Sequence, residues 1–195
     1  MVDAVPLDPG SYGGTYKLVG GSPALDFANL VSYRGTPRAH DWLEPWGNLR
    51  RWIRAAGLDV AAAGGTGDLV ALREALASVF LDIVDGEDPR GPAMELIAEV
   101  AQQARARQRL GWDTDGRRAV WRLPQPSLSE LLALDAARLL TNDAQRERIG
   151  ACAECRWVYL DTTRNRSRTW CDPADCGNRA RQRRHYRRGR ASLRP

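Results

Sequence analysis

Apolar positions recur mostly at helical spacing along the first three quarters of this chain. Leu25, Phe27, Ala28, Leu30 and Val31 follow Ser22-Pro23, an N-cap pattern with proline in the first helical position, and predict a helix over 23–31. Trp46, Leu49, Trp52, Ile53 and Ala56 form an apolar stripe over 44–56 that stops at Gly57. Leu69, Leu72, Leu76, Val79, Phe80 and Ile83 mark one face of a third helix over 68–84, and a fourth, more polar towards its end, covers 93–109. Ser127, three residues before Glu130, opens a fifth helix as a capping box, with Leu128, Leu131, Leu132, Ala136 and Leu139 on its apolar face. Between the fourth and fifth helices, Leu110–Asp113 and Arg118–Arg122 flank Asp115-Gly116 and predict a hairpin. Tyr16–Val19 predicts a short strand, after a loose arm rich in Pro, Gly and acid over residues 1–16.

Beyond residue 145 the helical period gives way to short segments. Trp157–Leu160 and Asn165–Trp170 fit two strands joined by a polar turn at 161–164, and Pro173 fits the start of a helix that continues through Arg188, with Tyr186 packed back on the hairpin. The expected fold is α+β. It comprises a mainly helical domain with a small antiparallel sheet over 1–145, then a treble-clef-like module with an arginine-rich helix over 146–195.

The chemistry of that module rests on the four cysteines of the chain. Cys152 and Cys155 form one close pair, Cys171 and Cys176 another, and 15 residues separate them. Four thiolates delivered by two tight turns match a closed structural zinc site, the alternatives being a redox pair or disulfides. The first ten residues carry neither a basic start nor an apolar stretch, and no run approaches the ~18 apolar residues of a membrane span. A cytoplasmic protein without membrane contact is expected, and reduced thiols there more often hold metal. One structural Zn²⁺ is the expected cofactor. Forty-five residues bury too little to fold alone, so replacing any one cysteine should unfold 151–195 and spare the helical core.

Charge divides the chain at the same place. The net +5 splits into 17 basic and 20 acidic residues over 1–150 against 12 basic and 4 acidic over 151–195. Seven of those basic residues, Arg179, Arg181, Arg183, Arg184, Arg187, Arg188 and Arg190, fall within twelve residues that contain no acid. A solvated basic tail is the plain reading of such a run. Fused to a zinc module, it reads as a nucleic-acid contact surface.

In the first helix Asp26 and Asn29 interrupt an otherwise apolar surface on one face. Either they form a hydrogen-bonded structural pair anchoring a neighbouring loop, or with Arg34 and Asp41 they line a small-molecule pocket. No glycine-rich phosphate loop, nucleophile elbow or His/carboxylate cluster occurs, and His40 is the only histidine of the first domain, so an enzyme is not expected.

Trp170-Cys171 and Cys176-Gly177-Asn178-Arg179, after Cys152-x-x-Cys155 and Leu160-Asp161, resemble the CGNR zinc finger. Leu25-Asp26-Phe27-Ala28-Asn29, Asp41-Trp-Leu43 and Trp52-Ile53…Gly57-Leu58 resemble the ABATE domain that precedes that finger in a family of stress-related transcriptional regulators. One departure is Val158-Tyr159-Leu160, where a phenylalanine is expected before the Leu/Asp step. The resemblance implies double-stranded DNA as partner, bound through the finger, and no established ligand for the first domain, for which effector binding or homo-oligomer formation are candidate roles. Arginine charge alone fits RNA equally well, which makes an RNA-binding zinc protein the rival reading. A further rival is an enzymatic or ligand-binding first domain carrying a protein-interaction finger.

Overall fold

The most continuous apolar face in the sequence becomes the centre of the molecule. The structure is a computed structural model that describes residues 2–60, 65–89 and 91–191, the side chains of 187–191 excepted. In chain order the elements are β1 (Ala4–Val5), β2 (Tyr16–Lys17), α1 (Pro23–Ala28), β3 (Val31–Ser32), β4 (His40–Asp41), α2 (Asn48–Ala55), α3 (Thr66–Asp85) and α4 (Pro92–Arg107). There follow β5 (Arg109–Asp113), β6 (Arg118–Arg122), α5 (Leu128–Thr141), α6 (Asp143–Arg146), β7 (Ile149–Ala151), β8 (Val158–Leu160) and α7 (Cys176–Ala191). Among the described residues the strands pair antiparallel in four two-stranded ladders, β1–β2, β3–β4, β5–β6 and β7–β8. Helices therefore carry the architecture, and the ladders trim it: the fold is α+β, as expected.

Helix α3 buries Leu69, Leu72, Leu76, Val79 and Phe80 and packs against α1, α4, α5 and the β7–β8 ladder. It ends at Gly86, whose φ of +79° supplies the left-handed cap that other residues adopt at a cost. The capping box of α5 forms as predicted, with Ser127 Oγ accepting from Glu130 N–H and the Glu130 carboxylate accepting from Ser127 N–H.

Three expectations are corrected. Residues 2–16 are not a loose arm, because β1 pairs with β2 and Val5 and Leu7 are buried. Asn48 clamps this segment by accepting from Asp8 N–H at 2.8 Å and donating to Asp8 O at 2.8 Å. The first helix stops at Ala28 instead of Val31, because Val31 and Ser32 leave to pair with His40 and Asp41. Ser22 takes the N-cap position without a side-chain cap, since its hydroxyl donates to the Asp135 carboxylate on α5. The second helix begins at Asn48, not Glu44; the residue before Pro45 is disfavoured in helical conformation.

The aromatic residues at the base of the fold satisfy one another. Trp52 is fully buried, and its indole N–H donates at 3.0 Å to Tyr16 Oη, which donates at 2.5 Å to Asp26 O. A buried hydroxyl used in both directions escapes the ~1–3 kcal/mol cost of an unpaired polar group. The same apolar cluster runs without a break from Val5 through α3 to Cys152, Trp157, Val158, Tyr159 and Cys176.

Candidate metal centre and nucleic-acid interface

The metal centre starts from a tight turn in a β-ladder. β7 and β8 pair Ile149–Leu160, Gly150–Tyr159 and Ala151–Val158, and the residues between them carry the first cysteine pair. Cys152 N–H donates to Trp157 O at 2.8 Å, and Arg156, at φ +64°, turns back to donate its N–H to Cys152 O at 3.0 Å. This corrects the predicted hairpin: β8 pairs with the segment before it, and 165–170 contains no strand. Val158–Leu160 suits either neighbour locally, and packing of β7 and β8 on α3 selects the first.

The second pair is held by Asp172. Its side-chain oxygen accepts from Ala174 N–H at 2.8 Å, and its carbonyl accepts from Asp175 N–H and Gly177 N–H, both at 3.2 Å. The helix consequently begins at Cys176 itself, three residues later than Pro173 suggested. Gly177, the next residue, packs against an indole. A β-carbon there would meet Trp170 Cδ1 at 3.2 Å, so the indole occupies the space glycine leaves.

All four cysteines are buried, and their sulfurs lie within 4.8 Å of one another, with Cys155–Cys171 and Cys171–Cys176 at 3.5 Å. Zinc–sulfur bonds of about 2.3 Å at tetrahedral corners put sulfurs about 3.8 Å apart, so the donor set fits. Without a cation the cluster cannot ionise fully. Hydrogen bonds from Cys155 and the other two sulfurs hold the Cys152 thiol low, and Cys152 in turn pushes Cys155 and Cys171 up. A divalent ion held by Cys152, Cys155, Cys171 and Cys176 removes that conflict and closes its own coordination sphere, a structural role.

Arg179 belongs to this centre. Its guanidinium lies 3.7 Å from Cys176 Sγ and 2.8 Å from the Asp175 carboxylate. Burial works against its charge, but the sulfur and carboxylate outweigh burial and raise its pKa. Asn178 is a backbone fastener, donating at 2.7 Å to Ala174 O and accepting from Arg181. Arg181 also donates to Pro173 O at 3.2 Å, and Arg183 forms a two-pronged pair with Glu154 in the first cysteine turn. Arg184 has no hydrogen-bond or ion-pair partner among the described residues. The side chains of Arg187, Arg188 and Arg190 lie outside the described residues. Tyr186, expected to pack on the hairpin, is instead 72% exposed.

The helical domain forms the floor of the module. Asn29 exchanges a matched pair of hydrogen bonds with the Val158 backbone, donating at 2.8 Å and accepting at 2.7 Å. Leu160 N–H donates to Gly20 O at 2.8 Å, Tyr33 N–H to Cys155 O at 3.2 Å, and Lys17 pairs with Asp172 at 2.5 Å. Arg168 stacks 4.1 Å over the Tyr159 ring and donates to Val19 O and Cys171 O at 3.0 and 2.6 Å, bridging floor and module. Asp161 accepts from Thr163 N–H and Arg168 N–H and shapes the loop between. The sequence reading missed Arg168 and Asp172. Lys17, the only lysine, was visible but had no partner to suggest a role.

The four pocket candidates do not converge on a cavity. Asp26 is buried, accepts from Gly20 N–H at 2.7 Å, and burial raises its pKa to about 7. Arg34 is paired with Glu74, and Asp41 receives both prongs of buried Arg73 at 2.5 and 2.8 Å. None of the four lines the cavity of about 500 Å³ between the first turn of α3, α4 and the start of α5. Among the described residues no helix is long and apolar enough to cross a membrane.

A family model described as "Putative stress-induced transcription regulator", ABATE, matches residues 21–143, and that of the CGNR zinc finger matches residues 148–189. No curated protein matches the chain. The first match spans Gly20-adjacent α1 through α5, and the second spans the ladder, the four sulfurs and most of α7. With nearly two thirds of its length inside the first match, the chain belongs to the ABATE family, and its metal centre is that of a CGNR zinc finger.

Proposed function

We propose that this protein is a cytoplasmic, zinc-dependent, non-enzymatic transcriptional regulator that binds duplex DNA through the finger and α7. The observation that carries this reading is the polarity of α7. Its first turns are tied to the metal centre through Cys176, Asn178, Arg179 and Arg183, while its second half carries arginines and no acid. A rigid, metal-fastened root with a basic outer half is a surface for phosphates.

Among the described residues Arg179, Arg181 and Arg183 have internal partners, and phosphate contact is assigned to Arg184, Arg187, Arg188 and Arg190. At about −0.9 per contact on B-DNA, the slope of log affinity against log salt is expected near −3 to −4. Charge removal at Arg184, Arg187 and Arg188 together is expected to flatten the slope by about 2–3 with the fold intact. Salt titrations of both proteins on duplex DNA check this, and a slope unchanged in the variant excludes α7 as the contact surface. A second reading, binding of RNA or single strands, is favoured by Tyr186, whose exposed ring suits base stacking. Structured RNA and single-stranded DNA as competitors at matched length and salt separate the two. A stronger hold on either than on duplex, lost in Tyr186→Ala, selects the second.

A further inference from the structure

Buried polar atoms without a partner are rare in folded proteins, and each calls for an explanation. Among the described residues three side-chain atoms are of this kind: Tyr33 Oη, His40 Nε2 and Arg179 Nε. His40 stands apart, its ring stacked on Tyr12 and edge-on to Trp42. Tyr33 and Arg179 line one cavity of about 20 Å³, together with Cys155, Cys171, Cys176 and Asp175. Tyr33 comes from the helical domain and Arg179 from α7, so this small space joins the two modules at the metal centre.

Tyr33 is held there against its local preference. Its φ of +52° is left-handed, a conformation that a bulky residue adopts only where its surroundings impose it. Those surroundings are specific. Thr36 donates to Tyr33 O through its N–H at 3.1 Å and its hydroxyl at 2.8 Å. Tyr33 N–H donates to Cys155 O at 3.2 Å, and the Arg38 guanidinium lies 3.9 Å over the ring. The side chain is buried, and its hydroxyl lies within electrostatic reach of Arg179 and Cys176.

What the cavity takes follows from what faces it. Arg179 Nε–H can only donate, so its partner must carry a lone pair. Four thiolates around a divalent ion keep net negative charge, and Asp175 adds to it, so an anion is repelled. A cavity of about 20 Å³ admits one water, which needs two to four polar partners. We propose that Tyr33 Oη–H and Arg179 Nε–H jointly hold one water, which donates in turn to a cysteine sulfur of the metal centre. Tyr33 is thereby a positioning residue for the metal. Through this water the helical domain stabilises the charge of a thiolate, and with it the retention of zinc. The role is independent of what α7 binds.

Tyr33→Phe in the full-length protein deletes only the hydroxyl, and the sign of its effect is decisive. Removing a hydroxyl that has no partner would leave zinc binding unchanged or tighter. Removing one that holds the water should weaken zinc about 10–100-fold in chelator competition. Arg179→Lys keeps a charge beside Cys176 but lacks the Nε–H, and should weaken zinc as well. Because both residues act through one water, the double variant should lose less than the product of the two single losses. Cobalt(II) in place of zinc reports on the sulfur itself. Loss of a hydrogen bond raises the sulfur lone pairs in energy, so the sulfur-to-cobalt charge-transfer band of Tyr33→Phe should move to longer wavelength. Tyr159→Phe is the control, since its hydroxyl donates to Arg168 O at 2.5 Å; it should lower the thermal midpoint and leave the band in place. Zinc binding unchanged or tighter in Tyr33→Phe overturns the proposal. So does a stationary cobalt band, or single losses that multiply in the double variant.

Discussion

Polar residues on apolar helices are where local chemistry and tertiary demand meet, and here backbone groups claim them. Asn29 meets both hydrogen-bonding groups of Val158, and Asp26 meets Gly20 N–H. Asp26 has a measurable consequence. Its folded pKa, raised by burial to about 7, lies above the unfolded carboxylate value, so the folded state binds more protons between pH 4 and 7. The stability tied to the protonated acid is full below about pH 4 and is lost as pH rises through 7. Asp26→Asn keeps an acceptor for Gly20 N–H and removes the charge. It should match the parent protein in acid and exceed it near pH 8, by up to about 4 kcal/mol. Urea unfolding of both proteins from pH 5 to 8 checks the difference, in which the thiolates' own pH dependence cancels. Parallel curves would mean that Asp26 stays ionised throughout.

Among the elements, α7 depends most on neighbours that a periodicity cannot reveal. Asp172 sets where it begins, and Trp170 fills the gap at Gly177. Gly177→Ala sets two effects against each other. Alanine gains about 1 kcal/mol of helix propensity, while its β-carbon crowds Trp170 by a few tenths of an ångström. The two should nearly cancel, leaving zinc affinity close to that of the parent. Gly177→Val adds bulk at the same spot and a β-branch, and should cost about 1–3 kcal/mol. Chelator competition for zinc, read with Trp fluorescence, distinguishes the pair; a tolerant valine variant would place Trp170 outside the fastening of the helix. The Gly-Asn-Arg that follows Cys176 thus reads as construction: a slot for an indole, a backbone fastener and a partner for sulfur.

At the scale of the whole molecule, the finger and the helical domain share one apolar core. Val158, Tyr159 and Trp157 belong to the same cluster as α1 and α3, and Trp157 Nε1–H donates to Val31 O at 3.2 Å. This revises the expectation that losing a cysteine spares the first domain. Structural zinc contributes on the order of 10–16 kcal/mol in small fingers, as much as the total stability of many domains. Stripping the metal should therefore lower the thermal midpoint of the entire chain in one transition. Hydrogen exchange should rise in α1 and β8 together. Two separate transitions, with the helical one unmoved by chelation, would show that the modules stand apart.

Properties set by neighbours in the chain were legible from the sequence. The cysteine spacing, the α5 capping box, the α3 stripe and the turn at Asp115-Gly116 each lie within one short stretch of chain, and all four appear where the pattern put them. The tertiary structure alone decided which of two possible strands β8 joins, which arginines have partners, and what Asp26 and Asn29 serve. Glu154 lies 29 residues from Arg183, and Asn29 lies 129 from Val158. At such separations the partner is chosen by which surfaces pack together, and no local period records that choice.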